Sequence, residues 1–325
     1  MVRILLTGGG GYIGSVLARE LLKKGMNVRM LDKFLFGKES LFGISDHPNL
    51  EVMEGDIRHI EDLAIAAKNT DAVIHLAAIV GGPACDEDPE LAIQVNREAT
   101  KALVEICKHR KVRRLIFAST CSVYGATKNI ANEKTKVNPL SLYAQSKVEA
   151  EKIILSRHDN KLVPCILRLG TVYGLSNRMR FDLVLNILAA KAVMEREIKI
   201  YGGGQWRPLI HVKDAANAFV ACLEAEEELV NKAVFNVGSN EQNFQIMELG
   251  QLVKKCVPGT KMYHLADAVD KRTYRVSFDK IREILSYRTK ETPEKGIKEI
   301  KEALENGMIC DYKNEKYYNV RHYSK

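Results

Sequence analysis

The 325-residue chain is poor in tryptophan (one), proline (eight) and cysteine (seven), and each scarcity excludes something. The cysteines are Cys85, Cys107, Cys121, Cys165, Cys222, Cys256 and Cys310: odd in number, scattered, and without a C-x-x-C pair. That pattern suits free thiols in a reducing compartment and argues against a disulfide framework or a zinc site, so no metal is expected. No apolar run approaches membrane-spanning length, and a first strand expected from Val2 leaves no room for a signal peptide. Long Ser, Gln or Pro tracts and blocks of one charge sign are missing, which excludes extended disorder. The chain reads as cytoplasmic, with no membrane partner.

What is present has the balance of a globular protein, 46% hydrophobic and 28% charged. The net charge of +8 would suit nucleic acid, but the positive residues are dispersed, so no nucleic-acid partner is expected. Solubility and an anionic small ligand are the two remaining readings of that charge.

Short β-branched runs alternate with amphipathic stretches through the first half, the pattern of βα units and a parallel sheet. Strands are expected at 3–7, 28–32, 50–53, 72–76, 115–118 and 165–168, with a later one at 234–237. Several are apolar on both faces, as central strands covered by helices on both sides must be. Ile13, Val16, Leu17 and Leu21 form one helical stripe, and Gly25 is placed to end that helix. The fold class is α/β, a doubly wound parallel sheet built from 1–170 and 209–237. A smaller α/β lobe is expected from 171–208 and 238–325, as insertions without a flexible linker.

Gly8, Gly11 and Gly14 follow the first strand and open a helix, in the run Gly8-Gly9-Gly10-Gly11-Tyr12-Ile13-Gly14. Glycine is needed where the backbone turns sharply and approaches a pyrophosphate, and the helix N-terminus offers it unpaired N–H groups. The second strand ends in Asp32, roughly twenty residues on, where a carboxylate accepts from the ribose hydroxyls and repels a 2′-phosphate. The cofactor is therefore read as NAD. Asp56, after Gly55 and before Ile57, suits either the adenine edge or a helix N-cap.

Tyr143 and Lys147 stand four apart after Asn138-Pro139 and Ser141, on one face of an expected helix. A phenol has a reference pKa near 10, and an adjacent ammonium would lower it toward that of a usable base. The same spacing recurs at Tyr124/Lys128 and Tyr312/Lys316, but only Tyr143 heads a helix in the sheet region. The strand before it ends in Ser119-Thr120-Cys121-Ser122, placing hydroxyls at the carboxyl edge of the sheet, where ligands bind.

Thr7-Gly8-x-x-Gly11-x-x-Gly14, His75-Leu76-Ala77-Ala78, Ser119-Thr120-Cys121-Ser122-Val123-Tyr124-Gly125 and Tyr143-x-x-x-Lys147 come in this order. In them the sequence resembles the extended short-chain dehydrogenase/reductases, with their Rossmann sheet, and within them the nucleotide-sugar epimerases and dehydratases, notably the UDP-glucose 4-epimerase-like members. The resemblance implies that Tyr143 is the base, Lys147 contacts the nicotinamide ribose and Thr120 holds the sugar oxygen. It implies cofactor contacts at Tyr12, Ile13, Ile57, Leu76, Ala77, Ala78 and Ser119, with Asn96 structural or on the cofactor side. Arg207 becomes the first phosphate candidate, with His211 and Asp214 structural. Ser122 joins the substrate residues, and the partner is a nucleotide-diphosphate sugar. Family members commonly dimerise through two helices, so 97–110 and 146–157 are candidates for a homodimer, although their apolar stripes also suit the sheet.

Two departures narrow the reading. Cys121-Ser122 stands where dehydratases carry Asp-Glu, and a thiol and an alcohol are poor proton donors at neutral pH, so dehydration is disfavoured. Thr171 stands where galactose-type 4-epimerases carry Asn. Arg178 and Arg180 suit a phosphate grip or a solvated turn, and Asn186 and Lys271-Arg272 are further substrate candidates. Trp206 either stacks on a base or fills the core, with the core favoured. The leading function is an NAD-dependent nucleotide-sugar 4-epimerase. The alternatives are a sugar-nucleotide dehydrogenase or reductase and a non-catalytic NAD sensor or RNA-associated scaffold.

Overall fold

Ile4 and Leu6 bury themselves on one face of the first strand and Leu5 on the other, the two-residue period of an extended chain. Such a strand needs cover on both sides. The computed structural model describes residues 2–157, 161–266, 270 and 272–320; Lys271 lies outside them. It places β1 (Arg3–Thr7), β2 (Asn27–Asp32), β3 (Leu50–Glu54), β4 (Ala72–His75), β5 (Arg114–Thr120) and β6 (Val163–Leu169) in one parallel sheet. The later strand of that sheet, β10 (Ala233–Val237), pairs outside β6, giving the order β10-β6-β5-β4-β1-β2-β3.

One face is covered by the helices Tyr12–Lys23 and Val212–Glu224, which pack Leu17, Leu21 and Phe219 onto Ile4, Leu6, Ile74 and Leu167. The other is covered by Ile60–Ala66, Ala99–His109 and Leu142–Arg157, which bring Leu63, Leu103 and Ile154 onto Leu5, Val73 and Phe117. The chain order reverses between β1 and β4, opening a crevice at their carboxyl ends, the place where doubly wound sheets bind ligands.

The second lobe holds strands the sequence pattern did not reveal. β7 (Thr171–Tyr173), β9 (Trp206–His211) and β11 (Asn243–Gln245) form a three-stranded sheet, and β8 (Glu197–Tyr201) pairs in parallel with β12 (Lys261–Leu265). The boundary expected at 208/209 falls inside β9, which runs without a linker into the helix Val212–Glu224 of the first lobe.

Candidate active site

The crevice is a cavity of about 500 Å³. One end is lined by Gly8, Gly11, Tyr12, Ile13, Gly14, Asp32, Asp56, Ile57, Leu76, Ala77 and Ala78. Its other end is lined by Ser119, Thr120, Ser122, Tyr143, Lys147, Thr171, Arg180 and Arg272, while Arg178 lines the cavity beside Phe36.

The glycine turn is a cradle that side chains would fill. Gly8 has φ +74°, and a Cβ there would lie 2.6 Å from the Ala77 nitrogen. A Cβ on Gly14 would lie 2.3 Å from the Gly8 carbonyl oxygen. The space kept open fits a pyrophosphate against the N-terminus of the helix Tyr12–Lys23. Asp32 accepts the Gly10 N–H at 2.8 Å and the Phe34 N–H at 2.7 Å. Burial raises its carboxyl pKa, and those N–H groups pull the other way. Burial also works to raise Asp56, but hydrogen bonds from Arg58 and Lys33 outweigh it and hold the carboxyl well below the usual range. Asp56 does not cap a helix: the next one starts at Ile60 with His59 as its N-cap.

At the other end, Ser141 accepts the Ala144 N–H at 3.2 Å and starts the helix Leu142–Arg157 beside Tyr143. Burial pushes the Tyr143 phenol far above its ordinary pKa. The charge that most opposes this is Arg180, and a Thr120 hydrogen bond adds to it. The sequence pattern had assigned that work to Lys147. Lys147 instead donates to the Ala118 carbonyl at 2.9 Å, lies 4.6 Å from the Phe117 ring centroid, and is lowered by burial to about 8.

Beneath the floor, Glu151 accepts from Ser119 and from Arg168 (Nε 3.0 Å, Nη2 2.6 Å). Arg168 donates onward to the Tyr124 hydroxyl at 3.0 Å, which donates to Asn236 at 2.8 Å. Tyr274 was missed by sequence reasoning. Its hydroxyl lies 3.1 Å from that of Ser122, and Arg207 stacks 5.7 Å from its ring. No motif marked it, because it reaches the site only through the fold of the second lobe.

Several candidates are placed elsewhere. Asn96 does not line the crevice; it accepts the Ile79 N–H at 2.8 Å and donates to the Ile79 carbonyl at 3.0 Å and to Ser146 at 3.1 Å. Asn186 is fully buried behind the wall, accepting from Gly174 at 3.0 Å and donating to Tyr12 at 3.1 Å and the Arg180 carbonyl at 2.9 Å. The Arg207 guanidinium is taken by Asp270 at 2.6 Å and by the Trp206 and Arg272 carbonyls. Arg180 stays on the crevice wall, its guanidinium forked onto Asp182 at 2.9 and 2.7 Å. Trp206, favoured for the core, is half-buried with Arg275 stacked 5.1 Å from its ring. His211 and Asp214 lie outside the crevice lining: His211 bonds Glu299 at 3.0 Å, and Asp214 accepts the N–H groups of Lys290 and Glu291. Among the described residues, no group of three or more His, Cys, Asp and Glu is placed to hold a metal, and no helix is long and apolar enough to cross a membrane.

A Rossmann sheet whose crevice is lined by a tyrosine and lysine four apart on one helix is that of an extended short-chain dehydrogenase/reductase. Residues 4–238 match the model of the NAD dependent epimerase/dehydratase family; the chain belongs to that family, and its cofactor is NAD. It is 30% identical over 280 residues to an uncharacterized UDP-glucose epimerase of Bacillus subtilis, covering 82% of this chain and 86% of that one. A UDP-N-acetyl-alpha-D-glucosaminuronate decarboxylase of Bacillus cytotoxicus is 28% identical over 319 residues, covering 91% and 96%. The crystal structure of UDP-glucuronic acid 4-epimerase from Bacillus cereus with UDP-glucuronic acid and NAD superposes with a TM-score of 0.84. It is 27% identical, over 94% of this chain and 99% of that one.

Proposed function

We propose that the chain is a nucleotide-sugar 4-epimerase acting on a uridine-diphosphate hexose or hexuronate. The observation that carries this is that Tyr143 and Thr120 line the same crevice as the glycine turn and Asp32. Tyr143 takes the proton of the sugar's C4 hydroxyl, and Thr120 holds that oxygen in line. NAD held by the glycine turn and Asp32 would supply a reversible hydride acceptor for that carbon. Lys147 orients the nicotinamide ribose, and the second lobe keeps water from the exposed keto sugar. The buried, hydrogen-bonded Cys121 supplies no acid for eliminating water.

A second reading, a uronate decarboxylase using the same oxidation, is favoured by the Arg180 guanidinium on the crevice wall, whose charge acts on Tyr143, and by the decarboxylase relatives. The reading also includes a cytoplasmic location, supported by seven free thiols, and a homodimer, supported by the adjacent helices Ala99–His109 and Leu142–Arg157.

The test is incubation with UDP-glucose, UDP-galactose, UDP-glucuronate and UDP-galacturonate, with products separated and NADH absorbance followed. A C4 epimer without net NADH is expected, and Tyr143→Phe abolishes it. Carbon dioxide and a pentose product would replace this reading by the second. Stoichiometric NADH would replace both by a dehydrogenase, and turnover that survives Tyr143→Phe would overturn the catalytic assignment.

A further inference from the structure

The chain continues beyond the last long helix, Pro293–Glu305, and folds back over the crevice. Tyr312 sets its ring edge against Phe181 at 5.7 Å and hydrogen-bonds Glu195. Tyr317 packs on the same ring at 5.5 Å, and its carbonyl accepts the Phe181 N–H at 3.0 Å. These contacts fasten the segment to the second lobe.

Its end reaches the first lobe. Lys316 lies 3.2 Å from Glu39 in the loop after β2, and Asn319 donates to the Val80 carbonyl, after β4, at 3.1 Å. Asn319 is 4% exposed and also accepts from Arg178 at 2.7 Å. The Arg178 guanidinium in turn lies 3.6 Å from the centroid of the Phe36 ring, and its charge helps to lower the Asp32 carboxyl. Arg178, a substrate candidate in the sequence, thus belongs to the dinucleotide end. One asparagine joins the β4 loop, the second lobe and, through Arg178, the β2 loop. Asn319 and Val320 themselves line the crevice.

We propose that residues 307–320 form a retaining strap for NAD, latched by Asn319, that must swing out for the dinucleotide to enter or leave. A buried amide that satisfies groups on two lobes is costly to withdraw, because Arg178 and the Val80 carbonyl each lose a partner. The strap concerns NAD alone and holds whichever sugar is turned over.

Two measurements without sugar test it. In the first, protein loaded with NAD is diluted and release is timed, for the wild type and for Asn319→Ala. The variant is expected to release NAD roughly tenfold faster, the change that follows from losing about one net hydrogen bond to a charged group. Its melting midpoint, followed by circular dichroism, shows whether the fold is kept. In the second, trypsin cuts at Lys313 and Lys316 of the wild type, stripped of NAD or saturated with it. NAD is expected to slow these cuts several-fold, since a strap that holds the ligand is held by it. Equal release rates in a folded variant, or tail cleavage indifferent to NAD, overturn the proposal. The protease measurement decides alone if the variant does not fold.

Discussion

The Lys147 ammonium points into the floor of the crevice, 2.9 Å from the Ala118 carbonyl and 4.6 Å from the Phe117 ring centroid. Its pKa is lowered from 10.5 to about 8, chiefly by burial. The unfolded chain therefore binds the extra proton between about pH 8 and pH 10.5, so the cost to stability is complete below about pH 8 and fades as pH rises toward 10.5. Lys147→Met is expected to stabilise the protein at pH 7 by about 2 kcal/mol, the burial cost less the lost hydrogen bond. Thermal melting should show a midpoint higher by several degrees, with turnover lost. An unchanged or lower midpoint would mean that the ammonium is better accommodated than its burial implies. In the wild type, NAD affinity should fall as pH rises through about 8 and the ammonium is lost.

Arg180 is the cation that most opposes the upward push of burial on Tyr143. Removing it raises the phenol further, so a base that must ionise becomes active only at higher pH. For Arg180→Met, the rising limb of kcat/KM against pH should move to higher pH, with turnover at pH 7 lower by about tenfold. Arg180→Lys, which keeps the charge, should move it less. Equal shifts in the two variants would show that the guanidinium's shape, not its charge, matters.

The glycine turn and the tyrosine–lysine helix were legible because both are local. Strand, glycines and helix lie within about twenty residues, and Tyr143 and Lys147 share one turn of helix. Most of the sheet was legible too, since strands covered on both sides, such as β1 and β6, carry apolar runs without alternation. The second lobe was not. β7 and β11 have three residues each, and β12 is mostly exposed, so neither period nor burial marks them in the chain. Arg178 and Arg180, two apart, point to different ends of the crevice, and only the pairings with Asn319 and Asp182 separate them.

Glu151 and Arg168 are a buried ion pair, 5% and 7% exposed, that also fixes Ser119 and Tyr124. Removing one partner strands the other charge in the interior. Glu151→Ala should cost about 3–5 kcal/mol in urea unfolding, and Glu151→Gln, which keeps hydrogen-bonding atoms, clearly less. A cost near 1 kcal/mol for Glu151→Ala would mean that water reaches Arg168.

Gly14→Ala places a methyl group where the Gly8 carbonyl oxygen and the Gly9 backbone stand. The turn must open, and NAD binding should weaken by at least about 100-fold in calorimetry, with the far-ultraviolet spectrum kept. Gly25→Ala is the contrast: a Cβ meets nothing within 4 Å there, and its φ of +74° makes the change a backbone strain only. It should cost about 1 kcal/mol of stability and leave NAD binding intact.

The Tyr12 hydroxyl donates to the Gly174 carbonyl at 2.6 Å and accepts from Asn186, while Ser15 and Ser176 bond each other at 2.9 Å and Ser176 bonds the Tyr12 carbonyl. This seam ties the helix Tyr12–Lys23 to residues 174–186, so buried hydrogen bonds resist separation along that edge. The molecule cannot gape like a shell there without tearing buried polar contacts. Traffic is left to the opposite rim, and an inhibitor designed to wedge the lobes apart should be aimed at that rim rather than at the seam.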